Sequence, residues 1–288
     1  SVSCKGEGSQ KKRCRDIGTE LTIRLCTLYN KRADMEGFFK FFGTGGARFM
    51  ALKHLRATGG LWINYRSTNV YIDPGPGSIA RIRASRDDFE PARLDGIILT
   101  HKHMDHANDV NILIETMAEG EFKKRGTLFC PEDAITEDPV VLNFARNYLE
   151  NVVFLKEGGE YTLGDISFRT PVRHRHPVET YGLLFDLNTT IGLISDTRYF
   201  PELGGHYRAE NLIIHVLRLK PIENHEIVDH LALDDVEELL QDVRPANAIL
   251  THFGMHIVKN KPALLAKKLS KATGVNVIAG RDGMKWEF

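Results

Sequence analysis

Along this chain the apolar residues fall in short blocks of three to six, cut by glycine, aspartate, asparagine and proline. Blocks of that length bounded by turn residues predict β-strands. They lie at Phe38–Phe42, Leu61–Tyr65, Asn69–Asp73, Gly96–Leu99, Gly126–Cys130, Val152–Lys156, Tyr161–Leu163, Ile166–Thr170, Tyr181–Phe185, Thr190–Ser195 and Ala248–Thr251. A different spacing, three to four residues apart, marks helices at Val110–Met117 with Gly120 as the stop, at Asp138–Leu149, from Asp234 to about Val243 before Pro245, and from Pro262 to about Ala272. Strands recur in both halves and each set is followed by helices. The fold class expected is therefore α/β, a four-layer αββα sandwich with two sheets face to face and helices outside. Residues 38–288 form the expected domain, and residues 1–37 an N-terminal extension of unassigned role. That extension carries the charge run Lys11–Arg15 and a loosely alternating stretch, Leu21–Leu28.

Composition narrows the picture. The chain has 288 residues, 42% hydrophobic and 26% charged, enough for a sizeable core. Lys+Arg and Asp+Glu both number 38, so the net charge is zero, which argues against a protein that wraps long nucleic acid. Four scattered cysteines (Cys4, Cys14, Cys26, Cys130) with no C-x-x-C pair read as free thiols in a reducing compartment. No apolar run approaches the ~18 residues of a membrane span. A cytoplasmic protein with no membrane contact is expected.

Chemistry concentrates after Gly96–Leu99, in Thr100-His101-Lys-His103-Met-Asp105-His106. A strand ending near Thr100 and a helix entered at about Asn108 would turn His101 and His103 one way and Asp105 and His106 another. One loop could then serve two adjacent cations, since neutral imidazole and carboxylate are the donors that zinc, and less selectively manganese or iron, prefer. Three further strand-end loops carry donors of the same type: His174/His176, Asp196 and His252. Two metals about 3.5–4 Å apart with one bridging carboxylate match this inventory. His101, His103 and a histidine of the 174/176 pair would hold one, Asp105, His106 and His252 the other, with Asp196 between. Asp73, ending its own strand, either orients a ligating histidine or caps a turn. The glycine cluster Gly43-Thr-Gly45-Gly46 lacks the residues of a nucleotide-binding loop.

From Phe38 to Phe288 the chain resembles the metallo-β-lactamase fold superfamily, in particular the phosphodiesterase branch with ribonuclease Z and the carbon–phosphorus-lyase-associated cyclic phosphodiesterase. The residues that carry the resemblance are Phe42-Gly-Thr-Gly-Gly, Ile72-Asp-Pro-Gly-Pro-Gly77, Thr100–His106, His176-Pro-Val-Glu179-Thr-Tyr-Gly182, Ile194-Ser-Asp-Thr197 and Leu250-Thr-His-Phe-Gly. The resemblance implies that His176 is the ligand and His174 its neighbour. It also implies that His230, 22 positions before His252, donates a hydrogen bond or proton to the reacting phosphate. With it come two divalent ions, Zn2+ or Mn2+, attack of a metal-bridged hydroxide on phosphorus, Asp105 as the water-orienting ligand, and a homodimer. Asp73, His174 and Glu179 are the candidates to support the ligands or meet substrate.

Two departures bear on substrate. Asp196 follows His176 by only 20 positions, leaving no room there for the arm with which ribonuclease Z enzymes grip tRNA. The family's H-E-A-T segment reads His215-Val-Leu-Arg218. Both favour a small phosphodiester, a cyclic nucleotide, as in the compact anti-Pycsar phosphodiesterases, over RNA. The alternatives are a ribonuclease Z-like tRNA 3′ endonuclease and a thioester or lactone hydrolase on the same ligands. A flavodiiron-type protein would carry a carboxylate in the first loop and a flavodoxin domain, and a non-catalytic relative would lose ligands. Phe49, Arg56, Tyr199, His206 and His256 are the aromatic and basic residues available to frame a nucleotide.

Overall fold

A computed structural model describes residues 36–53, 55–120, 123–136, 138–221 and 229–288. Residues 1–35 of the expected extension, with its basic run and the Leu21–Leu28 stretch, lie outside them, while its last residue, Gly37, already belongs to the first strand. The first half builds β1 (Gly37–Phe41), β2 (Leu61–Tyr65), β3 (Thr68–Ile72), β4 (Gly96–Ile98), β5 (Thr127–Cys130) and β6 (Asn151–Phe154). The second builds β7 (Gly159–Leu163), β8 (Ile166–Thr170), β9 (Leu183–Asp186), β10 (Thr190–Ile194), β11 (Asn211–His215), β12 (Asn247–Thr251) and β13 (Asn276–Ala279). A last strand, β14 (Lys285–Glu287), returns to the first sheet and pairs with β1. The two sheets are each seven-stranded, β14-β1-β2-β3-β4-β5-β6 and β13-β12-β11-β10-β9-β8-β7.

The sheets share a plan that no close repeat in the sequence announces. β1 to β3 and β7 to β10 are antiparallel meanders. From β3 to β6 and from β10 to β13 the pairing is parallel, which requires crossover connections. Strands buried on both faces read as unbroken apolar blocks, and their alternate residues divide between two cores. Phe39, Ile63, Ile72, Ile98, Phe168, Phe185, Leu193, Ile213 and Ile249 meet in the layer between the sheets. Trp62, Tyr71, Ile97 and Leu128 face the other way, under the helix Val110–Met117. Leu212, Ile214, Ala248 and Leu250 likewise back onto the helices Leu233–Val243 and Pro262–Thr273. This is the four-layer αββα sandwich that the pattern predicts.

Some elements differ from expectation. The helix expected over Asp138–Leu149 is reduced to Asn143–Arg146. Asp138 sits at φ 45° ahead of Pro139, and Asn111 fixes Val140 and Leu142 in an irregular turn through its side-chain amide. The loop after β4 does not wait until Asn108 to become helical. Met104–Ala107 forms a helical turn, so Asp105 and His106 are helical residues, and a second helix begins at Val110. The strand β11, a wholly buried interior strand of the second sheet, is absent from the expected set, as are β13 and β14.

Candidate metal centre

All the strand ends that deliver site residues open on one edge. β3, β4, β10, β11 and β12 run parallel within their sheets and release Asp73, His101, Asp196, His215 and His252 at or just beyond their carboxyl ends, where open α/β sheets bind ligands. The loop after β8 brings His174 and His176 to the same edge. Two backbone positions there are forced: Asp73 has φ 53° and His252 φ 60°, left-handed values that cost non-glycine residues stability and concentrate at functional sites. Gly46 packs so closely that a Cβ on it would lie 2.1 Å from His252 Nδ1.

The side chains gather in two groups. In the first, His101, His103 and His176 converge, with His176 Nε2 3.0 Å from His103 Nδ1. In the second, His106, Asp196, His215 and His252 converge, with His106 Nε2 3.0 Å from His252 Nε2. Asp196 reaches both: its Oδ2 is 3.7 Å from His101 Nε2 and 3.5 Å from His106 Nε2. Asp105 Oδ2 lies 3.6 Å from His106 Nε2 and 3.4 Å from His252 Nε2, and accepts a hydrogen bond from Ala47 N at 2.9 Å. His230 Nδ1 stands 3.4 Å from Asp196 Oδ2.

The surrounding residues hold these in place. Asp73 accepts from Thr100 N and Oγ1, both at 2.7 Å, and its Oδ2 lies 2.9 Å from His106 Nδ1. It therefore fixes the His106 ring while also holding the turn at Thr100. His176 Nδ1 lies 2.9 Å from the Asp229 carbonyl. His174 points away from the cluster, between the Tyr207 hydroxyl at 2.7 Å and the Asp196 carbonyl at 3.3 Å. Glu179 is not in the cluster either. It accepts from the Tyr181 hydroxyl at 2.7 Å, and its backbone N–H donates to Asp133, bracing the loop. Of the five framing residues, Phe49 and His256 line one pocket beside the cluster, whereas Arg56 lines a separate groove.

One residue escaped the sequence reading. His215 ends β11 and donates from Nδ1 to Asp196 Oδ1 at 2.9 Å, its ring stacked on His252 with centroids 4.7 Å apart. Recognising Asn211–His215 as a buried strand would have exposed it as a further strand-end histidine.

The donor set fits a cation. Buried His101 Nε2, His252 Nδ1 and His230 Nδ1 have no hydrogen-bond partner among the described residues. Two pairs of imidazole nitrogens also face each other at hydrogen-bond distance, an arrangement in which a shared cation replaces a shared proton. Burial lowers the pKa of His101 and His176 and takes His103 down to about 4, leaving the neutral rings that ligate metals. Burial works against ionised Asp105 and Asp196, but the imidazoles around them prevail and hold both well below the usual carboxylate range. For His106 burial favours the neutral ring, yet Asp105, Asp196 and Asp73 outweigh it and raise its pKa. The cluster thus attracts positive charge before any arrives.

An αββα sandwich with a histidine–aspartate cluster at the strand ends defines a class, the metallo-hydrolases. The comparisons agree. Residues 68–253 match the family model of the β-lactamase superfamily domain, and the chain belongs to that family, a family of metal-dependent hydrolases. An uncharacterised protein of Methanocaldococcus jannaschii is 31% identical over 86% of this chain and 94% of its own length. Among solved structures, the metallo-β-lactamase fold protein YhfI of Bacillus subtilis superposes with a TM-score of 0.72 at 18% identity, covering 88% of this chain and 99% of that one. A diphosphatase of the PhnP family gives 0.63 at 19% identity, covering 88% and 98%. The short form of human tRNase Z gives 0.63 at 15%, covering 86% and 98%.

Proposed function

We propose that this hydrolase is a dinuclear metal-dependent phosphodiesterase acting on a small phosphodiester, with cyclic nucleotides as the substrate class. The observation that carries the reading is the Asp196 carboxylate set between two histidine groups. His101, His103 and His176 would hold one divalent ion and Asp105, His106 and His252 the other, with Asp196 shared. Zinc matches the imidazole-rich set, and the carboxylates admit manganese. The chemistry supplied by such a pair, once bound, is neutralisation of phosphate charge and acidification of water.

The chain's own residues do the rest. His215, its Nδ1 committed to Asp196, fixes that carboxylate rather than ligating. Asp105, oriented by Ala47 N, offers its remaining lone pairs to water. His230 presents a buried nitrogen to the reacting group, as a donor to the phosphate or the leaving oxygen. Burial takes its pKa down to about 3, against the pull of Asp196, so the free protein holds it neutral. Between His176 and Asp196 the chain forms only β9, β10 and their turns, which supports a small substrate over tRNA.

The test is hydrolysis of bis(p-nitrophenyl) phosphate, 3′,5′-cyclic mononucleotides and a tRNA precursor with zinc or manganese, on wild type, Asp196→Ala and His230→Ala. Cyclic nucleotides should be cut and tRNA left whole. Asp196→Ala should lose both metal and turnover. His230→Ala should keep metal and lose ~10²–10⁴ in rate. Processing of the tRNA would place the protein with endonucleases, and a metal-loaded protein that cuts only thioesters or lactones would end the phosphodiesterase reading.

A further inference from the structure

Beside the cluster the surface opens into a pocket of about 510 Å³, within the range of small-molecule sites. It shares a wall with the cluster. Gly46 and Ala47, which touch His252 and Asp105, line it, as does Leu217, two residues after His215. Phe49, Met50, Leu217 and Met255 make it largely apolar, Arg218 and Lys220 make it positive, and among the described residues no carboxylate lines it. Phe49 holds its ring 64% exposed, an arrangement that leaves an aromatic face free for a ligand.

Arg218 is the unusual member. Its backbone is clamped, Leu217 N donating to Leu231 O and Leu233 N to Arg218 O, each at 3.0 Å. Its guanidinium is partly buried, and its Nε has no hydrogen-bond partner among the described residues. A cation withdrawn from water without a counter-charge is costly, and a bound anion removes that cost. The second basic groove differs in this respect, because Arg56 there is satisfied by Thr44 Oγ1 and the Gly280 carbonyl.

We propose that this pocket receives the nucleoside portion of the substrate, base against Phe49, with Arg218 on an anionic oxygen as a specificity-determining residue. The assignment rests on the phosphodiesterase reading for its substrate and adds the place where the base and an anionic oxygen are recognised. An acyl chain would match the apolar wall but leave Arg218 without a partner. A bare phosphodiester would leave Phe49 and Met255 idle. A heterocycle joined to phosphate uses both.

Calorimetry on the full-length zinc-loaded protein tests this with adenosine 5′-monophosphate, adenosine and ribose 5-phosphate. The nucleotide should bind more tightly than either fragment. Arg218→Gln should weaken the nucleotide by about tenfold or more while leaving adenosine unchanged, and Arg218→Lys should restore part of the loss. Phe49→Ala, an exposed change that spares the fold, should weaken nucleotide and adenosine alike by about tenfold. Lys267→Ala, in the second groove, should change neither. Nucleotide binding no tighter than ribose 5-phosphate, or unaffected by Arg218→Gln, overturns the assignment. Turnover of bis(p-nitrophenyl) phosphate, run in parallel, separates the two readings. Turnover without nucleotide preference removes the pocket and keeps the phosphodiesterase. Nucleotide preference without turnover does the reverse.

Discussion

Asp73 shows how one side chain couples a turn to a cluster. Its carboxylate takes two hydrogen bonds from Thr100, the residue before His101, and meets Nδ1 of His106. Both ends of the histidine loop are therefore set by one residue of a neighbouring strand. Asp73→Asn keeps the shape but removes the charge and puts an amide donor against at least one of these three contacts. Metal affinity is expected to fall ~10–100-fold, as for other supports of ligating histidines, with the fold retained. A zinc titration against a chromophoric chelator reads this directly, and an unchanged affinity would remove Asp73 from the site. At this scale the sequence was most legible where donors are crowded: His101, His103, Asp105 and His106 declare themselves by spacing. It was least legible at His215, a single histidine whose partner, Asp196, lies 19 residues away.

Elements follow the same division. Strands with apolar residues bounded by turns, such as β2 and β8, were readable almost to the residue, because burial and turn chemistry point the same way. The segment 138–149 misled because its helical spacing is overridden by Asp138-Pro139 and by the side chain of Asn111, a tertiary contact that no local pattern records. β5 carries a testable consequence of burial. Cys130 is buried among the helices, and burial, with Asp133 and Glu179 adding negative charge, pushes its thiol up to about 12. Burial favours the neutral thiol of an acid, so this contribution to stability is complete below the ordinary value near 9.0 and is lost as pH rises from there towards 12. Iodoacetamide at pH 8 should leave Cys130 unmodified in the native protein and label it once urea unfolds the chain. Peptide mapping that finds it labelled in the native protein would show that β5 opens freely.

At the scale of the molecule, the cluster draws on both sheets: His101, His103, Asp105 and His106 follow β4, while Asp196, His215 and His252 follow strands of the other sheet. A cation held there fastens the two layers together, so binding is folding energy. At about a thousandfold excess over Kd this linkage is worth about 4 kcal/mol, and each kcal/mol moves the midpoint of a domain this size by roughly 2–4 °C. Exhaustive chelation should therefore lower the unfolding temperature by roughly 10 °C, and zinc should restore it. Coincident scans with and without chelator would mean that the cluster holds no ion. Among the described residues no helix is long and apolar enough to cross a membrane.

The pairing of β14 with β1 reaches beyond the finished molecule. Phe38 lies opposite Glu287, and Phe288 N donates to Gly37 O. Until Lys285–Glu287 pairs with it, β1 leaves that flank of the first sheet open. Such an unpaired flank is what neighbouring chains and chaperones seize. A chain truncated after Gly283 should be readily cut by protease even with zinc present, and the chain that keeps β14 should resist. Equal resistance of the two would mean that the first sheet closes without its last strand. If the difference holds, three residues far along the chain act as a clasp on the strand that opens the first sheet.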